Sequence, residues 1–248
     1  MKTKISIVTV CYNAEDSIRK TMESVINQDY EHMEYVVIDG NSSDGTFDVI
    51  KEYKDKIDVL VRESDNGIYD AMNKSLSHVS GDWLIFMNAG DIFYNNRVLS
   101  NIAWDSVPSK IGVVYGDYIS IRKSTQKTIL CNNPFTVSRY PYKSMGFHHQ
   151  SCFVRTSVAK VLKFDTSFKC CADYRMIFCI VKKEEYNLLK IDDIISIVDD
   201  SQGFSFKNRL IQIKEHGRAC EWDSKFEFKL FYIAKRLIFF IKKRLHIL

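Results

Sequence analysis

The chain has 248 residues, is 46% hydrophobic and carries a formal net charge of +4. That length allows one large domain, or one domain with a tail, with ample apolar material for a core. The charge is too small to imply nucleic-acid binding, and no apolar run reaches the ~18 residues of a membrane-spanning helix. The seven cysteines show no Cys-x-x-Cys pair and no Cys/His ligand spacing. Reduced, buried thiols in a cytosolic compartment are the simplest account of them.

Met1 to Ile5 lead straight into a strand pattern, as expected of a chain without a secretory leader. Ile5-Ser6-Ile7-Val8-Thr9-Val10 is rich in β-branched residues and predicts a buried strand. Cys11-Tyr12-Asn13 follows as a turn, and Ile18, Met22, Val25 and Ile26 then recur at helical spacing. Glu34 to Asp39 predicts a second strand ending in an acid. The loop Gly40 to Thr46 opens a helix with Phe47, Val49, Ile50 and Tyr53, and Asp58 to Arg62 predicts a third strand. This order argues for a parallel sheet with helices on both faces. Its loops should converge at the carboxyl edge, where such sheets bind ligands. There Tyr12 either stacks on a base or packs half-buried, and Asp39 either accepts a base N–H or forms a turn.

Asp65-Asn66-Gly67 is a turn, with Ile68, Ala71, Met72 and Leu76 at helical spacing behind it. A helix here would present its N-terminal amides to an anion, while Asp70 and Lys74, four apart, can pair on its face. Trp83 to Met87 predicts a buried strand that ends abruptly in Asn88-Ala89-Gly90-Asp91. Asp91 either holds a divalent metal against a nucleotide diphosphate or caps the following segment.

Val8 to Asn13, Asp39 to Thr46, Asp65 to Lys74, Gly81-Asp82 and the Asn88-to-Asp91 strand end, in that order, resemble family 2 glycosyltransferases. Later motifs extend the resemblance to about residue 206. It implies an inverting enzyme with the GT-A fold: α/β, Rossmann-like, a central mostly parallel sheet flanked by helices. Residues 1–222 would form this domain, with 1–91 as the nucleotide-sugar half and 92–222 as the acceptor half. The resemblance implies that Thr9, Tyr12, Asn13, Asp39, Asp65, Gly67, Lys74, Asn88 and Ala89 bind the nucleotide sugar. Tyr12 and Asp39 would meet the base, and Asp65 and Lys74 would lie near the ribose or phosphates. Asp91 would be the ligand to Mn²⁺ or Mg²⁺. Asn88 and Gly90 depart from the family pattern, since carboxylates often stand there. An amide oxygen can still ligate such cations, but it supplies no charge, so the diphosphate is expected to provide most of the negative ligands.

Beyond Asp91, Val98, Leu99 and Ile102 predict a short helix, and Gly112 to Ile121 one or two strands. Residues 123–147, with Arg139, Tyr140, Tyr142 and Lys143, read as an irregular loop, either a lid or a surface excursion. His148 to Arg155 predicts a strand with a polar start; the resemblance puts His149 and Gln150 beside the acceptor and sugar. Asp173 opens a helix that turns Met176, Ile177 and Ile180 inward. It is either a helix-start acid or, as the resemblance implies, the general base for the acceptor hydroxyl. A helix start lowers an acid's pKa and an apolar wall raises it. Ile191 to Val198 predicts a late strand. Gly203 and Ser205 are what remains of a Gly-Gly-x-Ser-like segment that closes over substrate in the family.

Residues 223–248 predict a basic amphipathic helix. Lys225, Lys229, Arg236 and Lys243 fall on one side; Leu230, Ala234, Leu237, Ile238, Ile241, Leu245 and Leu248 fall opposite. It either lies in a membrane interface or packs on the domain. The expected activity is transfer from a nucleotide diphosphate sugar, a UDP-sugar foremost, to a saccharide acceptor. That acceptor is expected to be lipid-linked, in bacterial O-antigen, capsule or exopolysaccharide assembly. The expected location is cytoplasmic, peripheral on the inner face of the cell membrane. A nucleotidyltransferase is the first alternative, but Tyr12-Asn13-Ala14-Glu15 lacks the glycines and basic residues its phosphate loop needs. The second is a nucleotide-sugar-binding protein without catalysis, suggested by Asn88 and Gly90.

Overall fold

The computed structural model of the chain describes residues 2–122, 125–129, 147–183, 185–199 and 208–244. The first half runs β1 (Ile5–Cys11), α1 (Glu15–Ile26), β2 (Met33–Asp39), α2 (Thr46–Glu52), β3 (Val59–Arg62), α3 (Ile68–Ser75), β4 (Trp83–Phe86) and the short β5 (Ile92–Phe93). The second half runs β6 (Ile111–Arg122), β7 (Thr125–Ile129), β8 (Cys152–Arg155), α4 (Thr156–Leu162), α5 (Ala172–Lys182), β9 (Asn187–Asp199), α6 (Arg209–Ala219) and α7 (Phe226–Arg244).

The strands form one sheet in the order β3-β2-β1-β4-β8-β6-β9-β5, with β7 beside β6. The first four are parallel. β8 then runs antiparallel to both β4 and β6, and β9 parallel to β6. Successive residues of β1 and β2 point to opposite faces. Val8, Val10, Val36 and Ile38 join one core, and Ile5, Ile7, Tyr35 and Val37 join the other. Each such side chain contributes about 1.5–3 kcal/mol on full burial, so two apolar faces per strand account for the continuous hydrophobic runs in the sequence.

The antiparallel β4/β8 pair decides where the site lies. Trp83 faces Arg155 and Leu84 faces Val154, so the turn entering β8 lies beside the end of β4. That turn is the 3₁₀ segment His149–Ser151, rather than the polar strand start expected from the sequence. Two other expectations also change. Val98, Leu99 and Ile102 are buried as expected, but residues 96–101 form turns rather than a helix; the Asn101 N–H to Arg97 carbonyl bond closes a single turn. Within the expected 123–147 loop, residues 125–129 form β7. Arg139, Tyr140, Tyr142, Lys143, Gly203, Ser205, Leu245 and Leu248 lie outside the described residues.

Candidate active site

At the carboxyl edge, the loops after β1 and β2 are fastened together. Asp39 is fully buried. It accepts from the Ser42 hydroxyl at 2.5 Å and pairs with Arg62 Nε at 3.2 Å. Ser42 Oγ in turn accepts from Asn13 N at 2.9 Å, and Asn13 Oδ1 accepts from Ser43 N at 2.9 Å. Asn13 sits at φ 48°, a left-handed conformation that Asn tolerates better than most residues. The Tyr12 ring is left 63% exposed at this edge. A Cβ on Gly40 would collide with the Asp65 carboxylate and stand 3.3 Å from the Tyr12 ring. Tyr12, Gly40 and Asp65 thus meet at one place.

Other expected nucleotide contacts are used internally. Thr9 is fully buried, its hydroxyl engaged by Tyr35 Oη at 2.9 Å and the Met87 carbonyl at 2.8 Å. Its side chain therefore faces the core. Lys74 donates to the Ser64 carbonyl at 2.6 Å and pairs with Glu63 at 3.0 Å and Asp70 at 3.8 Å. Its ammonium thus meets three oxygen partners close by in the chain. The amides entering α3 are also occupied: Gly67 N donates to Asp65 and Asn66 N to Asp70. Two carboxylates make that helix end a poor anion receptor, against expectation. Gly67 itself has φ 112°, so its role is to start α3 in a conformation that glycine adopts readily.

At the end of β4, Asp91 N donates to the Asn88 carbonyl, closing a four-residue turn through Ala89 and Gly90. Gly90 has φ 106°, the positive value such a turn favours at its third position. A carboxylate side chain here would be strained, which accounts for one of the two missing acids. Gln150 is buried and donates to Asp91 Oδ2 at 2.7 Å. It therefore orients the acid. Asn88 Nδ2 lies 3.2 Å from His149 Nε2, while the buried Asn88 Oδ1 has no hydrogen-bond partner. Among the described residues no group of three or more His, Cys, Asp or Glu could hold a metal. One carboxylate and one unsatisfied amide oxygen nevertheless fit a hard cation that takes its remaining oxygens from a diphosphate.

Asp173 stands in the first turn of α5, 104 positions from Tyr69 and yet 3.1 Å from its hydroxyl. Its other oxygen lies 2.9 Å from His149 Nδ1. Burial works to raise the Asp173 carboxyl, but the His149 hydrogen bond and charge, the Tyr174 amide and Tyr69 outweigh it and hold it below the ordinary value. For His149, burial acts downward, and Asp173 and the charge of Asp91 reverse it, so the imidazole is raised. The tension between helix start and apolar wall is thus settled mainly by a partner that the wall itself carries. About 15% of the Asp173 side chain stays exposed. Glu215 of α6, buried, accepts from the Lys169 and Cys170 amides and so pins the approach to α5. Tyr69, Arg62, Ser42 and Glu215 carried no sequence signal as site residues. Tyr69 and Ser42 lay within recognised motifs without being singled out.

α7 is seated by its aromatic face. Phe228 is buried against Gly217 of α6, where a Cβ would collide with its ring, and Phe231 and Tyr232 pack on the core. The opposite stripe, Leu230, Ile233, Leu237 and Ile241, is more than half exposed. Among the described residues, no helix is long and apolar enough to cross a membrane.

The glycosyl transferase family 2 model matches residues 6–162. A putative teichuronic acid biosynthesis glycosyltransferase, TuaG of Bacillus subtilis (strain 168), is 34% identical over 39% of this chain and 40% of that protein. The Escherichia coli UDP-Glc:alpha-D-GlcNAc-diphosphoundecaprenol beta-1,3-glucosyltransferase WfgD is 25% identical over 96% of this chain and 94% of its own length. The mannosyltransferase PcManGT of Pyrobaculum calidifontis, solved with GDP-Man and Mn²⁺, superposes with a TM-score of 0.68 at 17% identity. That superposition covers 91% of this chain and 66% of PcManGT.

Proposed function

The chain belongs to glycosyl transferase family 2, and within that family we propose an inverting transfer of a sugar from a nucleotide diphosphate sugar to a lipid-linked saccharide. The observation that carries this reading is His149, bonded at once to Asp173 and to Asn88. The acid that would take a proton and the turn that would face a diphosphate are parts of one hydrogen-bonded unit.

Tyr12 would stack on the base, beside Gly40 and Asp65. Asn88 Oδ1 and Asp91 would hold a divalent cation, Mn²⁺ or Mg²⁺. When bound, such a cation offsets the charge that develops on the leaving diphosphate. The acceptor oxygen forms its bond to the anomeric carbon from the face opposite the diphosphate. The carbon–oxygen bond to the diphosphate breaks, its electron pair leaves with the diphosphate, and the acceptor proton passes to Asp173. A positioned base of this kind typically contributes ~10²–10⁴-fold.

WfgD's name specifies a UDP-sugar donor and an acceptor on a diphosphoundecaprenol. TuaG's name places it in teichuronic acid biosynthesis. The first supports a UDP-sugar and a polyprenyl diphosphate acceptor, and the second a role in cell-surface polysaccharide assembly. The exposed aliphatic stripe of α7, with Lys229 and Arg236 along its flank, supports a peripheral position on the inner face of the membrane. A nucleotide-sugar screen by thermal shift with Mn²⁺, followed by transfer assays on the stabilising donors, tests the activity. Absence of both stabilisation and transfer across UDP-, GDP- and dTDP-sugars would defeat the reading. Flotation with anionic vesicles tests the helix: Leu230→Glu with Leu237→Glu should abolish binding, and undiminished binding would defeat that part.

A further inference from the structure

We infer that the segment Asp65 to Asn73 holds the catalytic base as well as the nucleotide, and that Tyr69 is the positioning residue through which it acts. The inference rests on the reading of Asp173 as the base. Asp65, at the head of α3, lies against Gly40 and beside Tyr12. One turn further, Tyr69 donates its hydroxyl to Asp173 Oδ1 at 3.1 Å. The Tyr69 ring is buried and stacks on Phe164, with centroids 5.8 Å apart and planes 17° apart.

Phe164 is itself held by the same helix. Asn73 Nδ2 donates to the Phe164 carbonyl at 2.8 Å, and Phe164 N donates to Asn73 Oδ1 at 2.8 Å. The two faces of this arrangement close on each other: Asn73 fixes Phe164, Phe164 fixes the Tyr69 ring, and Tyr69 fixes one carboxylate oxygen. His149 fixes the other. Asp173 is thus held at both oxygens, by Tyr69 and His149, with the Tyr174 amide beside them. A carboxylate clamped at both oxygens loses little freedom when the acceptor arrives, and preorganisation of this kind lowers the barrier.

Four titratable groups face Asp173: His149 from the turn before β8, Tyr69 from α3, Cys171 from its own loop and His216 from α6. Burial, with Asp173 adding to it, holds Tyr69 protonated far above neutral pH, so it is a donor throughout the working range. Removing that donor takes away one of the bonds favouring the ionised carboxylate, which must move the Asp173 pKa upward.

The test compares Tyr69→Phe, Asn73→Ala and Asp173→Asn with the wild type in the full-length chain. Donor affinity, kcat and the pH profile of kcat/KM are measured for each. Tyr69→Phe keeps the ring and its stacking; it should lower kcat roughly 10-fold with donor affinity within about twofold, and move the acidic limb upward by roughly 0.5–1 pH unit, the scale of one charged hydrogen bond. Asn73→Ala keeps the hydroxyl but frees Phe164, and should shift the limb the same way by less. Near-normal turnover of Asp173→Asn would defeat the reading of Asp173 as the base. An inactive Asp173→Asn beside a Tyr69→Phe with an unmoved limb, whatever its kcat, would defeat the role of Tyr69 alone.

Discussion

At the nucleotide end, the loops after β1 and β2 join through partners 29 and 32 positions apart, Asn13 to Ser42 and Ala14 to Thr46. At the transfer end, Gln150 reaches Asp91 across 59 positions and Tyr69 reaches Asp173 across 104. The acids differ accordingly. Asp39 is sealed, with its charge spent on Arg62 and Ser42. Asp173 is clamped at both oxygens but stays partly exposed. A fully buried acid at a sheet edge can therefore serve architecture, whereas a partly exposed one a few strands away can serve chemistry. Sequence position alone does not separate the two.

The largest expected effect is at the turn after β4. Asp91→Ala should abolish transfer, since Asn88 Oδ1 alone brings no charge to a cation; Asn88→Ala should retain activity and raise the Mn²⁺ concentration needed. Equal losses in a metal titration of the two variants would make Asn88 a full ligand beside Asp91. Next, Asp39→Ala should cost about 1–3 kcal/mol in denaturant unfolding, because it removes the buried acceptor that fastens Ser42. A normal unfolding midpoint with lost donor affinity would instead make Asp39 a ligand contact like Asp173. Tyr12→Ala should weaken donor binding by about 1–3 kcal/mol, the usual loss of one base–aromatic stack, with kcat nearly unchanged in the same assay.

The smallest effect on activity is expected at the opposite edge of the sheet. Burial acts to raise the Glu34 carboxyl, but the hydrogen bonds from Lys4, Ser6 and Ser80 outweigh it and bring it down to about 2. A depressed acid adds stability above its ordinary pKa, and that stability is lost as pH falls toward the folded value. Thermal melts of the wild type should therefore weaken between about pH 4.5 and about 2. Glu34→Gln should flatten that decline and leave transfer at neutral pH intact.

Most of the fold was legible because β1, β2 and β4 carry continuous apolar runs and α1, α3 and α5 keep a clean helical period. Val98, Leu99 and Ile102 misled for a physical reason. Burial at helical spacing is also produced by a run of turns against a sheet, and periodicity does not distinguish the two. The nucleotide end was legible in outline, because its contacts lie between neighbouring loops of a parallel sheet. The partners of Thr9 and Lys74 were not legible, because a hydroxyl or ammonium in a motif shows nothing of what it meets. The linkage of Tyr69, Asp173, His149 and Asn88 was not legible. It depends on β8 running antiparallel to β4 and on α5 folding back over α3, and neither register is written in local sequence.

We propose a single displacement in which Asp173 takes the acceptor proton on the face opposite the leaving diphosphate. The configuration of the bond formed from an α-configured nucleotide sugar, read from the anomeric proton coupling of the product by NMR, tests it most directly. A β-linked product is the predicted result. An α-linked product would contradict the displacement and the role assigned to Asp173.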